Sequence, residues 1–174
     1  MNTNLRLART FFVLAAMANV SIAAETTAMA CPEGSDYRLL DFWKGEWNVV
    51  ESKTPDDGAM ARASVSAIAD GCGLYERYEQ NDGLLGEAIL GYDPVRKEWQ
   101  QTWISNRGSM MVLRGTFKEG ILTLEGDAHL KTGKVVRQRI HWQASEAGVR
   151  EWAEVTKDGG TTWEEAFDVL FIRP

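Results

Sequence analysis

The sequence predicts an all-β protein: a closed up-and-down antiparallel meander barrel of about ten strands, preceded by a short N-terminal helical turn. Three observations carry this. Short runs with apolar residues at alternate positions recur from residue 45 almost to the C-terminus, the period of a half-buried strand. Short Gly-bearing turns join them, so neighbours in sequence become neighbours in space. No helical pattern is long enough to cover an open sheet, so the meander either leaves two raw edges or closes on itself, and closure removes the edges. A propeller is set aside, because no repeat of blade length recurs.

The chain has 174 residues, a length that suits one domain. Residues 1–23 read as a secretory signal. Arg6 and Arg9 give the positive start, residues 11–24 the apolar stretch, and Ser21-Ile22-Ala23 the small-residue cleavage site. Residues 24–36 are expected to be a poorly ordered lead-in, and residues 37–174 the barrel domain. The mature chain is therefore expected in a bacterial periplasm or secreted. The formal charge is −6, and losing Arg6 and Arg9 takes it to about −8. Without a basic stripe, such acidity argues against nucleic acid or anionic lipid as a partner. After residue 30 no apolar run reaches membrane-spanning length, so no membrane span is expected.

Cys31 and Cys72 are the two cysteines. In an exported chain an even count suggests one disulfide, here joining the lead-in to the turn at Gly71-Cys72-Gly73; two separate thiols are the alternative. Ala28-Met29-Ala30-Cys31 only faintly resembles a lipoprotein cleavage box, lacking the leading Leu and lying far beyond the apolar stretch.

Residues 37–43 are expected to make one helical turn that lays Leu40 and Phe42 across a barrel opening. Gly45 then permits a tight turn into strand one, residues 45–52, with Trp47 on one face as a plug. Thr54-Pro55-Asp56-Asp57-Gly58 is a turn cluster. Strand two, residues 60–69, places Ala61, Ala63, Val65, Ala67 and Ala69 on one face. Strand three is 74–80, with Asn81-Asp82-Gly83 as its hairpin turn. Strands four to ten follow at 84–92, 99–105, 110–117, 121–128, 135–143, 149–156 and 162–173.

The sequence Asp41-Phe42-Trp43-Lys44-Gly45-Glu46-Trp47 resembles the Gly-x-Trp opening of lipocalins and other calycins. Together with Gly71-Cys72, Tyr92-Asp93-Pro94, Trp99 to Trp103, and Asp158 to Trp163, it resembles the DUF1579 family of bacterial lipocalin-like proteins of unknown function. The resemblance covers nearly the whole mature chain. It implies a calycin-like barrel and little about activity, since fold does not fix function. It also implies that Arg173 stacks on Trp47 to close the barrel beside Gly45; otherwise Arg173 is a solvated terminal residue.

Thr156-Lys157-Asp158-Gly159-Gly160-Thr161-Thr162-Trp163 matches the Asp-box pattern of sialidase propellers. One copy cannot build a propeller, so a hairpin turn organised by Asp158 is the expectation. His129 and His141 are the two histidines. His141 shares a face with Arg137 and Arg139, either on a solvated outer wall or as a haem ligand. No zinc spacing, nucleophile motif or phosphate loop appears, so no metal and no cofactor is expected.

Polar residues mixed with aromatics at period two point to a pocket. Leu74, Glu76, Tyr78 and Gln80 share a face of strand three; Trp99, Gln101, Trp103 and Ser105 share a face of strand five; Arg150, Trp152 and Glu154 share a face of strand nine. If these faces point inward, Glu76, Tyr78, Gln101, Trp103, Trp152 and Glu154 surround a ligand with apolar walls and a few placed polar groups. The expected partner is a small apolar or amphipathic molecule. An isomerase, cyclase or hydrolase using Glu76 or Glu154 in the same cavity is the alternative. A structural envelope protein with a filled core is a second alternative.

Overall fold

The structure, a computed structural model, describes residues 31–130 and 132–174. The expected signal and the lead-in as far as residue 30 lie outside the described residues. Ten strands run in order: β1 Gly45–Glu51, β2 Ala61–Ile68, β3 Gly73–Gln80, β4 Leu85–Asp93, β5 Glu98–Ser105, β6 Met110–Lys118, β7 Ile121–His129, β8 Val135–Ser145, β9 Gly148–Thr156 and β10 Glu164–Ile172. Each pairs antiparallel with the next, and β1 pairs with β10, so the sheet closes into a barrel with no free edge. The barrel follows from the alternation and short turns in the sequence, because closure is how a meander without covering helices satisfies its edge amides.

One row of each strand fills the interior: Trp47 and Val49 on β1, Leu113 on β6, Leu122 and Leu124 on β7, Ile140 and Trp142 on β8, and Val149 and Ala153 on β9 are all buried. The small residues of β2 have a packing reason. Ala63 stands opposite Trp47 across the β1–β2 ladder and leaves room for its indole. The row runs inward only as far as Val65; Ala67 and Ala69 are exposed where β2 leaves the wall.

One end of the barrel is plugged. Before β1 the chain makes two short 3-10 turns, Asp36–Arg38 and Asp41–Trp43, where the sequence suggested one helical turn. They drop Leu40 and Trp43 into the opening, both fully enclosed, while Phe42 stays half-buried. Trp43 reaches Trp142 and Phe171 at ring-centroid separations of 5.7 Å each. Burying a large side chain of this kind contributes about 1.5–3 kcal/mol.

The plug is tied down twice. A disulfide joins Cys31 to Cys72, with a Cα–Cα distance of 5.2 Å across 41 residues of sequence. Closing a loop of that length contributes about 4 kcal/mol in the chain-entropy picture. Beside it, the Arg38 guanidinium occupies the space a side chain at Gly71 would need, and Arg38 pairs with Asp41 at 2.7 Å. On the other side, the Arg173 guanidinium lies 3.7 Å from the Trp47 ring centroid and donates to the Lys44 carbonyl at 3.2 Å. A Cβ on Gly45 would collide with that guanidinium, and Gly45 has φ +133°. Glycine at this position thus serves the backbone and the Arg–Trp stack together.

Candidate functional site

The opposite end is different. Toward the hairpins between β1 and β2 and between β3 and β4, the interior holds a cavity of about 360 Å3. Its wall is formed by Glu51, Met60, Glu76, Tyr78, Gln80, Leu84, Gln101, Trp103, Met111, Glu151, Phe167 and Val169. Pockets for small organic ligands occupy about 300–1,000 Å3, so the space suits a compact molecule.

The aromatic wall rests on one glycine. Tyr78 and Trp103 meet edge to face with centroids 6.3 Å apart. The Trp103 indole lies across Gly86, filling the place where a side chain there would project. Gly86 therefore lets the indole lie flat against β4 instead of standing up into the cavity.

The polar groups are few and deeply placed. Glu76 is 3% exposed and Gln101 4%. Burial alone pushes the Glu76 carboxyl up to about 8, with no hydrogen bond to hold it ionised. Glu151 is raised well above the ordinary carboxylate range, first by burial and then by the charge of Glu76. The surface Glu151 retains faces the cavity. The Trp142 indole N–H comes toward Glu151 but falls short of hydrogen-bond geometry and remains without a partner. Tyr78 is also shifted upward, by burial and then by Glu151 and Glu76. Among the described residues, no Lys, Arg or His lines the cavity.

Of the six sequence-derived pocket residues, the structure brings Glu76, Tyr78, Gln101 and Trp103 together in this wall. Trp152 and Glu154 are elsewhere. The register of β9 turns Val149, Glu151 and Ala153 inward and sets Arg150, Trp152 and Glu154 on the outer surface. There Trp152 stacks on His141, with centroids 4.7 Å apart and planes 14° apart, and the Arg150 guanidinium covers it at 4.7 Å. Glu154 accepts from Arg139 Nε at 2.6 Å, which holds its carboxyl below its usual range. The expected inward face of strand nine is thus corrected by one residue, and Glu151 is the carboxylate that sequence reasoning missed. Its signal was present: Val149, Ala153 and Val155 share its parity.

His141 also belongs to the outer wall. Its Nδ1 is 2.9 Å from Thr123 Oγ1 and its Nε2 is 3.3 Å from a Glu154 oxygen. It faces away from the cavity, so the interior haem-ligand option fails on geometry. Burial lowers its pKa, against the opposing pull of Glu154. The Asp158 segment is a turn between β9 and β10. Its carboxylate accepts from the backbone amides of Thr161 and Thr162 at 3.0 and 2.9 Å and from the Thr162 hydroxyl at 2.6 Å. Those bonds, the Thr162 hydroxyl's first, hold Asp158 far below the usual range. Among the described residues, no group of three or more His, Cys, Asp or Glu is placed to hold a metal ion.

Residues 33–173 match the family described as Protein of unknown function (DUF1579). The chain belongs to the DUF1579 family. No curated protein matches its sequence. No helix among the described residues of this DUF1579 member is long and apolar enough to cross a membrane.

Proposed function

We propose that this DUF1579 barrel binds a small, mostly apolar molecule in the cavity at its open end, in the manner of a lipocalin-like carrier. One observation carries the reading. The interior is packed solid at the plugged end, yet at the other end an apolar and aromatic wall surrounds unfilled space into which buried Glu76 and Gln101 turn. A protein that needed only a core would gain by filling that space, since buried polar groups without partners are costly. Covering about 300 Å2 of apolar ligand surface contributes roughly 7 kcal/mol before the costs of association, enough for micromolar binding. The disulfide supports a place outside the reducing cytosol, in a periplasm or the extracellular space.

The test is titration with a neutral, environment-sensitive probe such as N-phenyl-1-naphthylamine. The expected result is saturable one-to-one binding, lost in a Leu84→Trp variant that fills the mouth and retains the circular dichroism of the parent. Fluorescence that rises without saturation, or equally in the filled variant, removes the carrier reading.

The two raised carboxyls favour a second reading, an enzyme that moves a proton with Glu76 or Glu151. A carboxyl that keeps its proton near neutral pH and faces a ligand cavity is what a general acid requires. Conversion of a bound compound, abolished in Glu76→Gln with binding intact, distinguishes catalysis from carriage.

A further inference from the structure

We propose that the molecule held in this cavity carries a cationic head, an amine or quaternary ammonium, seated between Glu76 and Glu151 and against the faces of Tyr78 and Trp103. This rests on the carrier reading above and specifies the ligand class. Two carboxyl groups, from β3 and β9, share one cavity, and no basic side chain among the described residues lines it. A third carboxylate, Glu51, stands in the same wall at the end of β1. At the rim, Asp82 adds its charge near Tyr78, and the neighbouring Arg107 is already paired with Asp82 at 2.9 Å. Among the described residues the cavity is thus an acidic well without a resident counter-ion. Ordinary buried carboxylates have a protein cation beside them, as Asp168 does with Arg150 Nη2 at 2.7 Å. Aromatic faces next to carboxylates attract ammonium groups further, because the ring quadrupole presents its negative face.

The arrangement makes binding proton-linked. In the empty barrel burial keeps Glu76 protonated up to about pH 8. When a cation enters, the Glu76 O–H gives its proton to solvent and the carboxylate pairs with the ammonium. The titratable groups that line the cavity with Glu76 are Glu51, Glu151 and Tyr78, so among the described residues the wall offers Glu76 no cation.

Isothermal titration of the intact oxidised protein with hexyltrimethylammonium, 1-octanol and octanoate tests this, because the first has no titration of its own. At about pH 8.5 the ammonium is expected to bind at least about tenfold tighter than the alcohol, with octanoate weakest. Below about pH 8 its affinity should fall by up to about tenfold per pH unit, with close to one proton released per cation, while the alcohol is unaffected. Glu76→Gln and Glu151→Gln should each erase the cation preference, so that the ammonium binds no tighter than 1-octanol to the same variant. If 1-octanol or octanoate binds the parent protein as tightly as the ammonium, the cationic head is wrong and the carrier reading survives. If none of the three binds, both readings fall. The comparison among probes on the parent protein stands even if a variant does not fold.

Discussion

The two ends of the barrel are built from the same strands and solve opposite problems. At the plugged end Leu40, Trp43, Trp47 and Phe171 interlock, and a disulfide and a guanidinium stack hold the plug in place. At the open end Tyr78, Trp103 and Phe167 border a vacant space, and carboxyl groups lie in it at a cost in solvation. The contrast separates the residues that hold the fold together from those that border the cavity. Changes at the plug should alter folding and leave ligand affinity alone, and changes at the mouth should do the reverse.

The largest separation is expected from Trp43→Ala. Removing a fully enclosed indole should lower stability by about 5 kcal/mol, read by denaturant melts, with neutral-probe affinity within twofold of the parent where the variant is folded. A similar loss of probe affinity would mean that the ends are not independent. Next is Cys72→Ser. Opening the 41-residue loop should cost about 4 kcal/mol in unfolding free energy, again without moving the probe constant.

At the open end the expected signature is pH. Glu76 has a folded value of about 8, above the ordinary value of 4.5. Between those values the folded state holds a proton that the unfolded state has lost, so stability falls as pH rises, by about 1 kcal/mol per unit. It is highest below about pH 4.5 as far as this group is concerned, and the decline ends above about pH 8. From pH 5 to 7 the parent should lose about 2–3 kcal/mol through this group, and Glu76→Gln should flatten that slope. An unchanged slope in the variant would assign the pH dependence elsewhere. The smallest effect belongs to the Arg173–Trp47 stack. A double-mutant cycle with Trp47→Phe and Arg173→Ala should show a coupling of about 1 kcal/mol; strict additivity would mean that the guanidinium only covers the ring.

Legibility in the sequence followed the same division. The plug was legible in part: Gly45 two residues before Trp47 and the two cysteines stood in the sequence, but Trp43 rather than Phe42 enters the opening beside Leu40. The strand order followed from short turns. The cavity was harder, since a strand's inward face depends on parity, and one residue of slip exchanges the two faces. On β3 and β5 the row with Glu76 and Gln101 carries Leu74, Tyr78, Trp99 and Trp103, but Tyr75 and Ile104 lie on the opposite parity, so the sequence left the inward face open. On β9 the largest residue, Trp152, disagrees with Val149, Ala153 and Val155. The indole finds an outer niche between His141 and Arg150 that only the folded ladder creates. Weighing the whole parity row above the single largest side chain would have found Glu151.

The seam between β1 and β10 sets a condition on how this molecule comes into being. Asn48 faces Ile172 across it, and Glu51 faces Val169. A chain emerging in order has nine further strands to produce after β1 before its first strand meets the last. Until then both raw margins are free to pair with other chains. Contacts this distant in sequence form slowly, so a holding partner during synthesis or transport would matter more to this barrel than to a helical bundle of equal size.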